Sequence, residues 1–292
     1  MTGQKSEQQE LVTVMNDLMN KKRSLLLTIL VIAAVFSVNS LTGGIFDSIA
    51  DASLAGFFRR LSSVLFVMLG TMILRKAWIF RFDPDLLKKG WTAAIPLWIL
   101  ILFMLVSFLR QKPGITAGPA DIFFFVMEML CVGFSEETLF RGLLQNAFHE
   151  LFGEDTAGRV ILAVFCAGFC FGAVHLTNAT RSTVTLRDAA TQAFVASGAG
   201  MLLGAIYFRT GKNLWYNMLL HTLHDTVTFI QTGGLSGADS DAVISGSVQN
   251  GNGVLLYIGQ FVFYVIMTLF VLRRKKVEPL LKKTETEVEP EV

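Results

Sequence analysis

The chain has 292 residues, of which 52% are hydrophobic and 16% are charged, and its mean hydropathy is +0.54. Soluble globular proteins carry about 25% charged residues. The composition therefore predicts an integral membrane protein and excludes an ordinary soluble domain. The net charge of +2 does not indicate a nucleic-acid partner, because the basic residues adjoin apolar runs and form no separate basic surface.

Residues 1–23 are polar and mixed in charge, and they are predicted to be a cytoplasmic segment. Apolar residues at positions 11, 14, 15 and 18 repeat at helical spacing. The sequence leaves two interpretations of this amphipathic helix open. It lies on the bilayer surface, or it continues the first membrane span.

About eight apolar runs are long enough to cross a bilayer as helices, since a span needs about 20 mostly apolar residues. The predicted spans are residues 24–43, 58–76, 91–109, 121–141, 158–177, 189–208, 213–231 and 253–272. The predicted fold class is thus all-α: a polytopic bundle of helices around an intramembrane polar site.

Lys21, Lys22 and Arg23 precede the first span, which predicts a cytoplasmic N-terminus. An even number of crossings returns the C-terminus to the same side, and a bacterial cell membrane is the expected location. The membrane domain is predicted over residues 24–272, with a loop from 232 to 252 outside the cell. Residues 273–292 are predicted to be a charged, disordered cytoplasmic tail.

The sequence FSEETLFRG, residues 134–142, brings charge into the fourth span. Charge inside a bilayer costs about 2.5 to 3.5 kcal/mol per residue on insertion scales, and it commonly marks a functional site. Glu137 and Arg141 have the i, i+4 spacing of a helical ion pair. Glu136 lies about 100° around the helix from Glu137 and is left without that partner.

Two other spans carry polar residues at helical spacing. The fifth span ends with Phe171 and His175, and the seventh carries Asn217, His221 and Asp225 at successive i, i+4 positions. Ionisable residues in separate spans usually face each other or water. The sequence therefore predicts a convergent site, although an ordinary ion pair at the membrane surface would also explain the glutamates alone.

Several chemistries fit such a site. Glu136 could accept a proton from water as a general base, and a second polar group could stabilise the charge on a carbonyl oxygen, which favours peptide hydrolysis. Zinc hydrolysis is an alternative, with His175, His221 and Asp225 as possible ligands, although the sequence has no HExxH motif. A proton-coupled carrier is the third interpretation, and matched inverted halves that would favour it are absent from the sequence.

The chain resembles the CAAX protease and bacteriocin-processing family, also called CPBP or Abi, of intramembrane endopeptidases. The family's motifs EExxxR, FxxxH and Hxxx followed by Asn or Asp are matched in order, within residues 120–230. The matching residues are Glu136, Glu137, Arg141, Phe171, His175, His221 and Asp225.

The resemblance implies a helical membrane protease whose substrate is a peptide or a lipidated protein. It implies that Glu136 activates water with His175 beside it, and that Glu137 and Arg141 hold the motif in shape. His221 and Asp225 would lie at the scissile carbonyl. A catalytic zinc ion is left open by the resemblance, as is a non-proteolytic role in bacteriocin self-immunity or as a scaffold.

Two features of the sequence do not follow this pattern directly. The prenyl-processing members have Asn at the position of Asp225, and an ionised Asp cannot donate a hydrogen bond. Asp225 would then be protonated, orient His221 or bind a metal, while His224 beside it is interpreted as a structural residue. The predicted spans also place Glu136 and His175 at different depths, so the fourth span is expected to extend toward residue 148 or the fifth to shift.

Overall fold

The structure is a computed structural model that describes residues 2–46, 49, 51–111, 115–180, 184–231, 235 and 254–281. Within these ranges the chain is helical and has no β-strand. The α-helices are α1 (Thr2–Phe46), α2 (Ala52–Ile73), α3 (Pro84–Gly90), α4 (Ile95–Gln111), α5 (Pro119–Glu137), α6 (Asn146–Phe152), α7 (Ala157–Val174), α8 (Leu186–Arg209), α9 (Leu214–Gln231), α10 (Val254–Val271) and α11 (Arg274–Val277).

Shorter helical segments join several of these helices. They are the 3₁₀-helices Ala77–Phe80, Trp91–Ala94, His175–Thr180 and Glu278–Leu280 and the π-helix Thr138–Gln145. The predicted external loop lies outside the described residues apart from Leu235, and so does the tail from residue 282.

Each predicted span coincides with a helix, but fewer helices have the length and hydropathy of a membrane span. Four qualify among the described residues, namely Ser53–Ile73, Trp91–Arg110, Ala157–Thr180 and Leu186–Arg209. A fifth is formed if Leu255–Val271 and Arg274–Leu280, which meet at 56°, are one broken span. The chain is an integral membrane protein by these helices, while the count of eight remains a prediction.

Charged and polar side chains explain why two of the predicted spans do not qualify. Four acidic residues lie in α5, and α9 combines two amides, two imidazoles and a carboxylate with its apolar residues. Both helices are therefore less apolar than a span that only faces lipid. Four of the predicted catalytic residues, Glu136, Glu137, His221 and Asp225, thus lie on helices that depart from a simple hydropathy pattern.

α1 runs without a break across the boundary predicted at residue 23. Residues 2–23 and the first predicted span therefore form one helix, while the position of residues 1–23 relative to the bilayer stays a prediction. Ser24 of α1 and Lys76, which lies between α2 and the 3₁₀-helix Ala77–Phe80, are both bound to α6, because both donate hydrogen bonds to the carboxylate of Glu150 at 2.8 and 2.9 Å.

The core has α8 in its middle, and every residue from 200 to 210 is buried. α8 packs on α7 and α10, while α5 packs on α2 and α9. Small residues permit these close approaches, as is usual for helices in membranes. A Cβ atom at Gly172 of α7 would lie 1.9 Å from Oγ of Ser197, and one at Gly133 of α5 would lie 2.2 Å from Oγ1 of Thr222 in α9.

The fourth predicted span is longer than the sequence suggested. α5 ends at Glu137, but the π-helix Thr138–Gln145 and α6 continue the helical path to Phe152. All residues of the π-helix are buried. Glu136 and Glu137 thus lie midway along a helical run that extends past residue 148, the first of the two arrangements that the sequence left open.

Candidate active site

Glu137 lies at the centre of a buried cluster between α5, the π-helix and α9. Its side chain has no exposed surface, and Nη1 of Arg141 lies 2.8 Å from its Oε1 atom. Nδ2 of Asn217 donates to Oε2 at 2.9 Å, and Nδ1 of His221 lies 2.7 Å from Oε1. The predicted i, i+4 ion pair is confirmed, and two side chains of α9 share the same carboxylate.

Arg141 is stabilised on three sides although its side chain is only 2% exposed. Besides Glu137, its Nη2 atom donates to the carbonyl oxygen of Gly200 at 3.2 Å. Its guanidinium carbon lies 4.5 Å from the centre of the Phe171 ring, a cation–π contact. A buried cation needs such compensation, because loss of one partner leaves an unpaired charge.

His221 lies between carboxylates at both ends of its ring. Nδ1 contacts Glu137, while Nε2 lies 3.2 Å from Oδ2 of Asp225 and 3.7 Å from Oε2 of Glu136. An ionised carboxylate only accepts hydrogen bonds. With Glu137 and Asp225 ionised, both ring nitrogens donate and the imidazole carries a positive charge.

The charges of the cluster then balance in pairs and leave one carboxylate over. Glu137 balances Arg141, and Asp225 balances His221. Glu136 remains, with a side chain that is 23% exposed. Among the described residues no hydrogen bond is made to its carboxylate, so Glu136 differs from Glu137 in exposure and in the number of its partners.

His175 follows the last residue of α7 and approaches the cluster through Phe171. Its Nδ1 atom lies 2.9 Å from the carbonyl oxygen of Phe171, and since a carbonyl only accepts, Nδ1 carries the proton. The Phe171 ring meets the rings of His175 and His221 edge to face, with centroid distances of 5.1 and 5.8 Å. In the described part of the chain no hydrogen bond or ion pair joins His175 directly to Glu136 or His221.

The described residues do not form a metal site. No group of three or more His, Cys, Asp or Glu side chains among them is arranged to hold a metal ion. Of the possible zinc ligands His175, His221 and Asp225, only the last two lie together, and both nitrogens of His221 already face carboxylates. The arrangement does not fit a three-ligand zinc site.

Residues 118–227 match the family model described as Type II CAAX prenyl endopeptidase Rce1-like. This segment of the chain is similar to Rce1-like domains. It begins beside the start of α5 and ends within α9, so it contains all six predicted site residues and confirms the resemblance found in residues 120–230. No curated protein and no solved structure gives a significant match to the chain.

The polar cluster also contains residues to which the sequence assigned no role. Asn217 shares the α9 face of His221, a spacing that the sequence showed without revealing its contact with Glu137. Tyr264 lies on α10, beyond the matched segment, and its hydroxyl is 3.0 Å from Nε2 of His224. Nothing in the apolar sequence around Tyr264 could have indicated this contact.

Proposed function

We propose that the chain is an intramembrane endopeptidase that hydrolyses a peptide bond in a membrane-associated or lipidated protein, with Glu136 as the general base. The contrast between the two neighbouring glutamates carries this proposal. Glu137 is fully buried and held by Arg141, Asn217 and His221. Glu136 is partly exposed, and its contact with the cluster is the longer one of 3.7 Å to Nε2 of His221.

The proposed roles follow from which polar atoms make no hydrogen bond within the described residues and can therefore bind water. Glu136 can accept a proton from a water molecule, since its oxygens accept no hydrogen bond within the described residues. Nε2 of His175 is likewise available, because Nδ1 is the nitrogen bound to the Phe171 carbonyl oxygen. The Phe171 ring contacts both His175 and His221, and His221 lies 3.7 Å from Glu136. We infer that Glu136 and His175 activate and orient one water molecule beside these rings.

The positive His221 ring suits the stabilisation of negative charge. Its Nε2 atom faces Asp225 at 3.2 Å and Glu136 at 3.7 Å, on the side of the ring away from the buried Glu137. Negative charge that develops on a carbonyl oxygen near this edge is stabilised by the imidazolium. Asp225, whose two oxygens accept from His221 and His224, orients the ring and does not itself donate.

In the proposed reaction, Glu136 takes a proton from water while the water oxygen bonds to the scissile carbonyl carbon. The carbonyl oxygen becomes negative, and the tetrahedral intermediate collapses as the C–N bond breaks. The proton on Glu136 passes to the leaving amine, which restores the carboxylate. Glu137 and Arg141 take no proton in these steps and keep the helices in place.

The test is cleavage of a prenylated peptide with a C-terminal CAAX sequence by the purified chain in detergent, followed by mass spectrometry of the products. We expect loss of the three C-terminal residues with the wild type and no product with Glu136→Gln. Glu128→Gln is the matched control. Glu128 lies on the same helix but pairs with Arg60 of α2, 3.5 Å away, and takes no part in the cluster.

A second arm covers substrates that are not prenylated. Protein C-termini are compared by mass spectrometry in cells that express the wild type, Glu136→Gln or Glu128→Gln. New C-termini in the wild-type and Glu128→Gln cells alone support an endopeptidase with another membrane substrate. Identical C-termini in all three strains, together with an uncut peptide, would contradict the proposal and favour a non-proteolytic role.

For the arrangement in the membrane, the proposal keeps both termini in the cytoplasm and residues 24–272 as the membrane domain. Basic residues at positions 21–23 precede the first apolar run, and basic residues at positions 273–276 follow the last. Both sets support this arrangement, because basic residues beside membrane spans favour the cytoplasmic side.

A further inference from the structure

Tyr264 and His224 form a second layer of contacts behind the cluster. Tyr264 has no exposed surface and lies on α10, whereas His224 lies on α9 beside Asp225. The Tyr264 hydroxyl is 3.0 Å from Nε2 of His224, and Nδ1 of His224 is 3.1 Å from Oδ1 of Asp225. A single path of hydrogen bonds thus joins α10 to the carboxylate that contacts His221.

The chemistry of the groups gives each bond a direction. Asp225 accepts, so Nδ1 of His224 carries a proton and donates it to Oδ1. When Nδ1 carries the only ring proton, Nε2 accepts the proton of the Tyr264 hydroxyl. The side-chain amide nitrogen of Gln260, 3.5 Å from the same hydroxyl, faces it with a donor and so leaves the hydroxyl proton for His224.

The position of the Tyr264 ring is itself fixed by packing. A Cβ atom at Gly198 of α8 would lie 3.1 Å from Cβ of Tyr264 and 3.3 Å from its Cδ2 atom. The glycine therefore gives room for the ring against α8. The carbonyl oxygen of Tyr264 accepts a hydrogen bond from Oγ1 of Thr268 at 2.8 Å.

We propose that Tyr264 and His224 are positioning residues that fix the plane of the Asp225 carboxylate, so that Oδ2 faces Nε2 of His221. The inference rests on the proposed function, in which His221 acts at the substrate carbonyl. A carboxylate held at one oxygen only can rotate, whereas Asp225 is held at Oδ1 by His224 and at Oδ2 by His221. This assigns α10, which lies outside the segment that matches the family model, a part in the orientation of the site.

The path of hydrogen bonds from Tyr264 through His224 to Asp225 is called the relay. Four purified variants test it with the prenylated CAAX peptide as substrate. Tyr264→Phe removes only the hydroxyl. His224→Asn keeps an amide donor near the Nδ1 position and removes the Nε2 acceptor, and the third variant combines both changes. Tyr216→Phe is the matched control, since its hydroxyl bonds to Trp98 and Trp91 at the other end of α9.

Each single variant is expected to lower kcat about tenfold, the effect of one hydrogen bond of ordinary strength. KM should stay within about twofold, because neither side chain contacts the substrate in the proposed arrangement. The double variant should be no slower than the slower single variant, since both changes break the same bond. A loss in kcat of about 100-fold in the double variant, as additive effects would give, would overturn the proposal. A rise in KM with kcat unchanged would overturn it as well.

A spectroscopic arm keeps this test separate from the test of the proposed function. The chain has only four histidines, so ¹⁵N-histidine labelling yields few imidazole signals. His224→Asn and His221→Asn identify the signals of those two rings. Tyr264→Phe is expected to shift the Nε2 signal of His224 and, through Asp225, the signals of His221, whereas Tyr216→Phe shifts neither.

The two arms separate the possible failures. If the wild type does not cut the peptide but both histidine signals shift, the proposed substrate is wrong and the relay stands as an orienting network. If the His224 signal shifts and that of His221 does not, Tyr264 contacts His224 without positioning the site, and the inference is overturned. An unchanged His224 signal overturns it as well.

Discussion

Glu136 and Glu137 are neighbours in the chain but meet opposite nitrogens of one imidazole, that of His221. Oε1 of Glu137 is 2.7 Å from Nδ1, and Oε2 of Glu136 is 3.7 Å from Nε2. The first contact is a buried hydrogen bond, and the second is longer and involves a carboxylate whose side chain is 23% exposed. The same substitution at the two glutamates is therefore expected to have different effects on the protein.

Glu137→Gln is expected to destabilise the protein by about 3 to 5 kcal/mol, because it leaves Arg141 as an uncompensated buried charge. Glu136→Gln should change the stability by less than about 0.5 kcal/mol, as is usual away from buried networks. Thermal unfolding in one detergent measures both variants. Equal destabilisation by the two substitutions would contradict the division of roles between the glutamates.

His175→Asn is expected to reduce cleavage of the prenylated peptide by roughly 100- to 10,000-fold, the usual effect of losing a residue that transfers or orients a proton. The shorter amide can still donate to the Phe171 carbonyl oxygen, so the thermal unfolding temperature should not change. The cleavage rate and the unfolding temperature of the same purified variant distinguish a role in proton transfer from a structural role. Loss of activity that only parallels loss of folded protein would assign His175 a structural role.

The sequence predicted the main features of this site because charge in an apolar helix is costly and helical spacing is regular. The i, i+4 rule led directly to the contact between Glu137 and Arg141, and the stacked face of α9 contained both His221 and Asp225. Hydropathy was a weaker guide to the extent of the helices. The apolar pattern ended the fourth span at residue 141, whereas packing of the buried π-helix carries the helical path to Phe152.

Contacts between distant helices could not be predicted in the same way. Tyr264 is one aromatic residue in the apolar run of α10, and only the packing of α10 on α8 brings its hydroxyl to His224. The contact of Asn217 with Glu137 likewise depends on how closely α5 and α9 approach. Periodicity shows which residues share a helix face, but it does not show which helix that face meets.

Phe171→Leu is expected to lower stability by about 2 kcal/mol and to reduce kcat. The substitution removes the cation–π contact with Arg141, which is worth about 2 kcal/mol where water is excluded. It also removes the ring that touches both His175 and His221. Phe169→Leu is the control on the same helix, since the Phe169 side chain is exposed. Thermal unfolding and peptide cleavage are measured for both variants, and equal effects at the two positions would refute the special role of Phe171.

Gly133→Ala is expected to force α5 away from α9. The added methyl group would lie 2.2 Å from Oγ1 of Thr222 and 3.0 Å from the carbonyl oxygen of Met218. Overpacking of this kind costs about 1 to 3 kcal/mol. Because Glu137 lies one turn after Gly133 and reaches across to Asn217 and His221, the shift should also reduce cleavage.

Two further variants show whether the crossing itself is responsible. Gly133→Ala combined with Thr222→Ala removes the closest clash but not the contact with the backbone of α9, so stability and cleavage should recover in part. Gly158→Ala adds the same methyl group to α7 where no atom lies within 4 Å. It should leave cleavage unchanged and keep or raise stability by up to about 1 kcal/mol, because alanine favours the helix over glycine. If Gly133→Ala behaves like Gly158→Ala, close approach of α5 and α9 does not position the carboxylate of Glu137.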